Sequence, residues 1–73
     1  MNQKTKEEYK RLGNQLLQYE ADMAQALDDL MRNQNISADE RQRRYQEIMD
    51  HYGPLIQATA DEMGLVQQNM LTN

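Results

Sequence analysis

The single histidine of the chain, His51, is the first candidate for chemistry, because imidazole is the side chain that most readily exchanges protons near neutral pH. Glu47 lies four residues before it and Asp50 directly precedes it. Di-metal helical bundles use a Glu-x-x-His spacing with further carboxylates facing inward. In the run EIMDH the glutamate is one residue too far from the histidine for that spacing. We therefore interpret His51 as a surface histidine paired with Glu47, and we expect neither a metal nor a cofactor.

The sequence also lacks the parts of a nucleophilic catalytic site. A triad needs a nucleophile, a base and a group that orients the base, and the chain has no cysteine and no second histidine. Ser37 precedes a helical pattern and is predicted to cap that helix. The four tyrosines fall on apolar faces, as ordinary amphipathic core residues do. The sequence predicts no catalytic residues, and we expect a protein that is not an enzyme.

A cluster of arginines is the most basic feature of the chain. Its members are Arg32, Arg41, Arg43 and Arg44. They would lie near the bend of a helical hairpin, where two copies of the chain could combine them into one surface that binds RNA or DNA. Residues 39–47, DERQRRYQE, carry three acids and three arginines, however, and a phosphate-binding surface needs uncompensated positive charge. A nucleic-acid-binding regulator is therefore the second hypothesis and not the first.

Arg41 differs from the other arginines because it falls on the apolar seam of its helix. Its aliphatic stem could lie on the core while its charged end stays in water. Alternatively, the guanidinium could reach Asp28 or Asp29 across the bend, or it could anchor an acidic partner. The sequence leaves these three interpretations open.

Acidic and methionine-rich positions indicate protein binding. Helix 1 carries an acidic face that suits a basic protein partner, since charge complementarity selects partners and speeds encounter. Methionines recur beside the apolar stripes, and methionine suits surfaces that repack around different partners. The candidate protein-binding residues are Glu20, Asp22, Asp28, Asp29, Arg41, Met49, Tyr52 and Met63.

Helical elements must position these residues. Thr5 and Glu8 have the spacing of a capping box, as do Ser37 and Glu40. From Tyr9 to Leu30 the apolar positions recur at alternating intervals of three and four, which is a heptad seam. Leu17 and further apolar residues widen this stripe along one flank, as in helical bundles. The pattern predicts helix 1 over about 5–33, a turn at 33–37 and helix 2 from about 38 to 64.

The pair Gly53-Pro54 interrupts helix 2 but does not shift its heptad phase. Pro54 cannot donate a hydrogen bond to the carbonyl of Asp50 and would kink a helix interior, or it could begin a new helix at the first position. Because the apolar phase persists to Met70, we favour a kinked, nearly continuous helix over a break. Gly64 is a possible C-cap, so the tail over 65–73 is predicted to be irregular or frayed.

Size and charge set the remaining expectations. A chain of 73 residues with a net charge of −4 and no cysteine forms one domain, and its core needs support from a partner. We predict an all-α fold, an antiparallel helical hairpin that dimerises into a four-helix bundle. We expect a cytoplasmic location, no membrane partner, and a role as a protein-binding inhibitor, regulator or chaperone. A structural component of a larger assembly is the third hypothesis.

Overall fold

Two long helices make up the fold. A computed structural model describes residues 3–72, in which α1 spans Gln3–Arg32 and α2 spans Ala38–Thr72. The helices are antiparallel neighbours, since residues near the bend lie close together and Gly13 faces Met63 near the other end. The hairpin measures 54 × 15 × 12 Å. The predicted all-α hairpin is confirmed.

The start of α1 differs from the predicted cap. The helix begins two residues before Thr5, so Thr5 lies within the first turn and not at the cap position. A side-chain hydrogen bond across the first turn supports this earlier start, because the Gln3 amide donates to the Glu7 carboxylate over 3.3 Å. Pairs at this spacing stabilise exposed helical turns by a few tenths of a kcal/mol, about 0.2–0.5.

Ser37 caps α2 as predicted. The backbone N–H of Glu40 donates to the Ser37 hydroxyl oxygen over 3.1 Å, and the backbone N–H of Arg41 donates to the Ser37 carbonyl over 3.0 Å. The other half of a capping box would be a bond from the Ser37 N–H to the Glu40 side chain. The Glu40 carboxylate instead accepts hydrogen bonds from Arg43 and Arg44, because their charged donors bind it more strongly than a neutral amide does.

Helix α2 continues through Pro54, so the alternative of a break at Gly53-Pro54 is wrong. The ring of a proline clashes with the Cβ and N–H of the residue before it, and Gly53 has no Cβ. Pro54 itself is exposed, which leaves the unpaired Asp50 carbonyl on the solvent side of the helix. Both features allow the helix to accommodate a proline in its interior.

The predicted irregular tail over 65–73 is also wrong for the residues that the structure describes. The helix extends to Thr72, and Gly64 does not adopt the positive φ of a C-cap glycine. Val66 is buried and Met70 is half-buried, so the heptad pattern gives the last turns an apolar contact with α1. Asn73 lies outside the described residues.

The core between the helices is thin. Leu12, Leu30, Val66 and Thr59 are the residues of the described range with less than a tenth of their surface exposed, and none of its side chains is completely buried. Thr59 satisfies its hydroxyl by donating to the Leu55 carbonyl over 2.8 Å. Two helices can shield only the surfaces that face each other, so most apolar side chains remain partly accessible.

The proline in α2 gives a prediction about stability. Replacing Pro54 with alanine restores a donor to the Asp50 carbonyl and removes the ring. Because Gly53 and the exposed carbonyl already relieve part of the cost, we expect the free energy of unfolding to rise by less than about 3 kcal/mol, which is what proline costs in a helix interior. Urea denaturation followed by circular dichroism measures this change. Gln57→Ala, at an exposed position in the same helix, should change stability by less than about 0.5 kcal/mol. A loss of stability in Pro54→Ala would contradict this account.

Candidate functional site

Arg41 holds the two helices together at the bend. Its Nη1 donates to the Leu30 carbonyl over 2.7 Å, and its Nη2 donates to the Asn33 carbonyl over 2.8 Å. The last carbonyls of a helix have no i+4 partner within the helix, and here one guanidinium binds one of them, that of Leu30, together with the carbonyl of Asn33 just beyond the helix. Leu30 also accepts from the N–H of Asn33 over 3.2 Å. The side chain is half-buried, so Arg41 acts as a C-cap supplied by the neighbouring helix.

This geometry gives Arg41 a structural role that the sequence did not predict, while its roles as a partner anchor or as part of a basic patch stay predictions. Its fork is planar and can bind two acceptors at once, and backbone carbonyls occupy it. The same bonds replace the expected contact with Asp28 or Asp29. Asp28 pairs instead with Arg32 on its own helix, at 3.0 Å between Oδ2 and Nε.

The other arginines of the cluster, Arg32, Arg43 and Arg44, form ion pairs with carboxylates on their own helices. Arg43 bonds Glu40 over 2.6 Å and Glu47 over 3.3 Å, and Arg44 bonds Glu40 over 3.3 Å. The hydrogen bond from Arg43 lowers the pKa of the Glu40 carboxyl below its ordinary value, with a smaller contribution from Arg44. The same carboxylate raises the pKa of Arg43. The bend therefore carries balanced ion pairs and not an uncompensated basic patch.

The acidic residues of α1 do not form one face. Each residue of an α-helix turns the chain by about 100°, so Glu20 and Asp22 lie about 160° apart around the helix. Asp22 and Asp29 do share a flank, and each accepts a hydrogen bond of 2.9 Å from the glutamine one turn earlier. The predicted acidic face is thus reduced to two aspartates, with Glu20 and Asp28 pointing elsewhere.

One of these aspartates borders a groove on one side of the hairpin near the bend. The groove has a volume of about 540 Å³. We call it the polar groove; its lining residues are Ala26, Asp29, Leu30, Asn33, Arg44, Glu47, Ile48, His51 and Tyr52. Leucine, isoleucine and tyrosine side chains form its floor, and the charged residues are exposed along its rim.

A second groove near the bend is almost free of charge. It has a volume of about 290 Å³, and its lining includes Leu27, Met31 and Tyr45, with Arg41 as its one charged residue. Met31 is 74% exposed and Tyr45 is 44% exposed. Because none of its lining residues except Leu30 is shared with the polar groove, we place the two grooves on different sides of the hairpin.

The remaining predicted site residues lie between the helices. Met49, Tyr52 and Met63 are half-buried, so part of each contributes to the interhelical packing. Met63 packs over Gly13, where an added Cβ would lie 3.7 Å from the methionine Cε. That distance is an ordinary van der Waals contact, so Gly13 does not mark an unusually close approach of the two helices.

His51 lies on the rim of the polar groove. It is exposed, and its ring makes an edge-to-face contact with Tyr52 at a centroid distance of 4.7 Å. The Glu47 carboxylate accepts a hydrogen bond from Arg43, so the predicted pairing of His51 with Glu47 is not formed. Within residues 3–72, no three histidine, cysteine or acidic side chains come together as metal ligands would.

Comparisons with protein-family models, with curated proteins and with solved structures found no match to this chain. Neither helix of the described part is long and apolar enough to cross a membrane.

The sequence analysis named Met49 as a candidate protein-binding residue but did not predict the rest of its flank of α2. Gln42, Met49, Ile56 and Ala60 are uncharged and recur with heptad spacing, beside the seam that packs on α1. The absence of charge at these positions is the signal in the sequence that marks this flank. The apolar residues on the corresponding flank of α1 were recognised as a widened stripe.

The Arg41 cap predicts a large and specific loss of stability. Arg41→Ala leaves two helix-end carbonyls without this donor, so we expect the free energy of unfolding to fall by about 2 kcal/mol. Arg41→Lys should recover less than half of the loss, because an ammonium cannot reproduce the planar fork. Urea denaturation measures both. Arg44→Ala removes an exposed ion pair and should cost less than about 0.5 kcal/mol; equal losses at the two positions would contradict the cap.

The Glu40 ion pairs predict a dependence of stability on pH. Because folding lowers the pKa of this carboxyl from 4.5, its contribution is fully present above that pH and is lost as the pH falls through the lower folded value. Glu40→Gln should therefore be less stable than the native chain at neutral pH, and the difference should shrink as the solution is acidified. Thermal unfolding at a series of pH values tests this. In an Arg43→Gln/Arg44→Gln background the pH-dependent difference should disappear.

Proposed function

We propose that the chain is a small, acidic, non-enzymatic protein-binding module that acts in the cytoplasm as an inhibitor, regulator or chaperone of a larger protein. It would work without a cofactor and as a dimer, with two hairpins forming a four-helix bundle. The polar groove would receive the larger partner.

The exposed surface of the hairpin is the observation that carries this proposal. Folded monomers of 8.6 kDa typically expose about 4,700 Å², whereas this chain exposes 5681 Å². The excess of about 1,000 Å² is comparable to one side of a standard protein–protein interface, about 800 Å². Much of it is apolar, since Leu17, Met31 and Leu65 each expose more than three-fifths of their surface.

The polar groove has the anatomy of a protein-binding surface. Specific interfaces combine an apolar centre with a polar rim, and here Leu30, Ile48 and Tyr52 form the floor below exposed charged residues. Tyrosine is among the residues that contribute most to binding when it is buried by a partner. The half-buried Tyr52 therefore has surface left for another protein to cover.

Charge favours a partner with basic side chains. The net charge of the chain is −4, and Asp29 and Glu47 lie on the rim of the polar groove. By contrast, Arg32, Arg43 and Arg44 are all paired with acids, which gives a nucleic-acid-binding role little support. Complementary charge at a rim acts mainly on the rate and selectivity of association.

Capture by the immobilised full-length chain from an extract of its source cells tests this function, with two matched variants. Asp29 and Asp61 each accept a hydrogen bond of 2.9 Å from a glutamine one turn earlier, but only Asp29 borders the polar groove. The native chain and Asp61→Lys should retain the partner, and Asp29→Lys should retain at least about tenfold less.

The captured protein, once purified, should then bind the native chain by isothermal titration calorimetry, and its own activity or solubility should change on binding. The proposal fails if the native chain and the two variants retain the same proteins. It also fails if the immobilised chain retains nucleic acid and no protein.

A further inference from the structure

We propose that a second copy of the chain binds the more apolar side of the hairpin, in an isologous contact that completes the four-helix bundle. We call this side the apolar face. It consists of Leu17, Ala24, Leu27 and Met31 of α1 with Tyr45, Met49, Ile56 and Ala60 of α2. The inference deepens the dimer included in the proposed function, and it stands independently of the larger partner.

The two helices supply one continuous surface here. Near the bend, Leu27 and Met31 of α1 line the same groove as Tyr45 of α2. Away from the bend, residues at heptad spacing stay on one flank of each helix, so Leu17 and Ile56 continue the two halves of this surface. Leu17 is 65% exposed, which shows that the hairpin alone leaves the flank uncovered.

Charge indicates what kind of molecule covers this face. One flank of α2, within about 60° of rotation in one direction from Ala38 around the helix axis, carries no charged residue; its members are Ala38, Gln42, Met49, Gly53, Ile56, Ala60, Gln67 and Leu71. On the corresponding positions of α1, Glu20 is the one charge between Gly13 and Met31. Two copies with a net charge of −4 each repel one another, and this face brings them together with the fewest like charges in contact.

The dimensions of the hairpin fit the same occupant. Stacking along the whole hairpin, 54 × 15 Å, would cover about 800 Å², which is the area that each partner contributes to a standard interface. The apolar face, from Leu17 to Met31 on α1, takes up about 21 Å of that length. An isologous dimer buries the same patch on both copies. Two stacked hairpins then give every helix two neighbours, which is the arrangement of a four-helix bundle. The apolar faces of the two copies would form a core at the centre of that bundle, in addition to the thin core between α1 and α2.

The shape of the side chains allows two copies to approach closely. Ala24 and Ala60 are small and exposed on this face, so larger residues from the second copy can pack against the backbone there. Met31 and Met49 are flexible and fill irregular gaps between facing helices. The apolar face thus combines small alanines, which leave room for side chains of the second copy, with flexible methionines that fill the remaining gaps.

A matched pair of leucines tests the inference. Leu17 is 65% exposed on the apolar face, and Leu65 is 63% exposed about 180° around α2 from Ile56. Sedimentation equilibrium of the full chain should give twice the chain mass at micromolar concentration. Leu17→Lys should raise the dimer dissociation constant at least about tenfold, and Leu65→Lys should change it by less than about twofold.

A second measurement does not depend on how the lysine variants fold. The chain contains no cysteine, so a single one introduced at an exposed alanine can be followed by its alkylation rate. Ala24→Cys, on the apolar face, should be protected more strongly as protein concentration rises. Ala58→Cys, on the opposite flank of α2, should react at one rate throughout.

A chain that stays monomeric at millimolar concentration would overturn the inference, as would equal protection of the two cysteines or equal weakening by the two lysine substitutions. A monomer that still captures its partner through Asp29 would contradict the dimer but leave the protein-binding role of the polar groove intact. A dimer that captures no protein would support the apolar-face contact and contradict the proposed protein-binding role.

Discussion

The hydrogen bonds from Arg41 to the end of α1 set the geometry on which the rest of the hairpin depends. A helix end leaves carbonyls unpaired, and a five-residue connection, 33–37, offers few donors for them. By reaching across to the Leu30 and Asn33 carbonyls, one side chain fixes both the end of α1 and the distance to α2. The relative register of every later pair of residues follows from that point.

The sequence predicted the fold because the heptad spacing and the Ser37 cap are local signals. It did not predict the course of α2 beyond Gly64, because Gly64 resembles a C-cap locally while the packing of Val66 and Met70 on α1 is a tertiary effect. Tertiary packing commonly overrides weak local preferences of this kind.

The candidate site was harder to predict than the fold. Residue types alone placed Arg41 with Arg43 and Arg44, yet the structure separates them into a half-buried cap and a set of exposed ion pairs. Likewise, Glu20 and Asp22 are close in sequence but point in different directions, since helical rotation and not chain distance decides which side chains share a face. The two grooves were not foreseen, because each needs residues from both helices.

The antiparallel arrangement also orders the hairpin's contacts by the length of chain that each one closes. Arg41 meets Leu30 across a separation of 11 residues, whereas Met63 meets Gly13 across a far longer loop. Closing that longer loop costs about 1.3 kcal/mol more in chain entropy, because the cost grows with the logarithm of loop length. The bend is thus where the two helices meet at the smallest entropic cost. Interhelical contacts can form there first and then successively toward the termini.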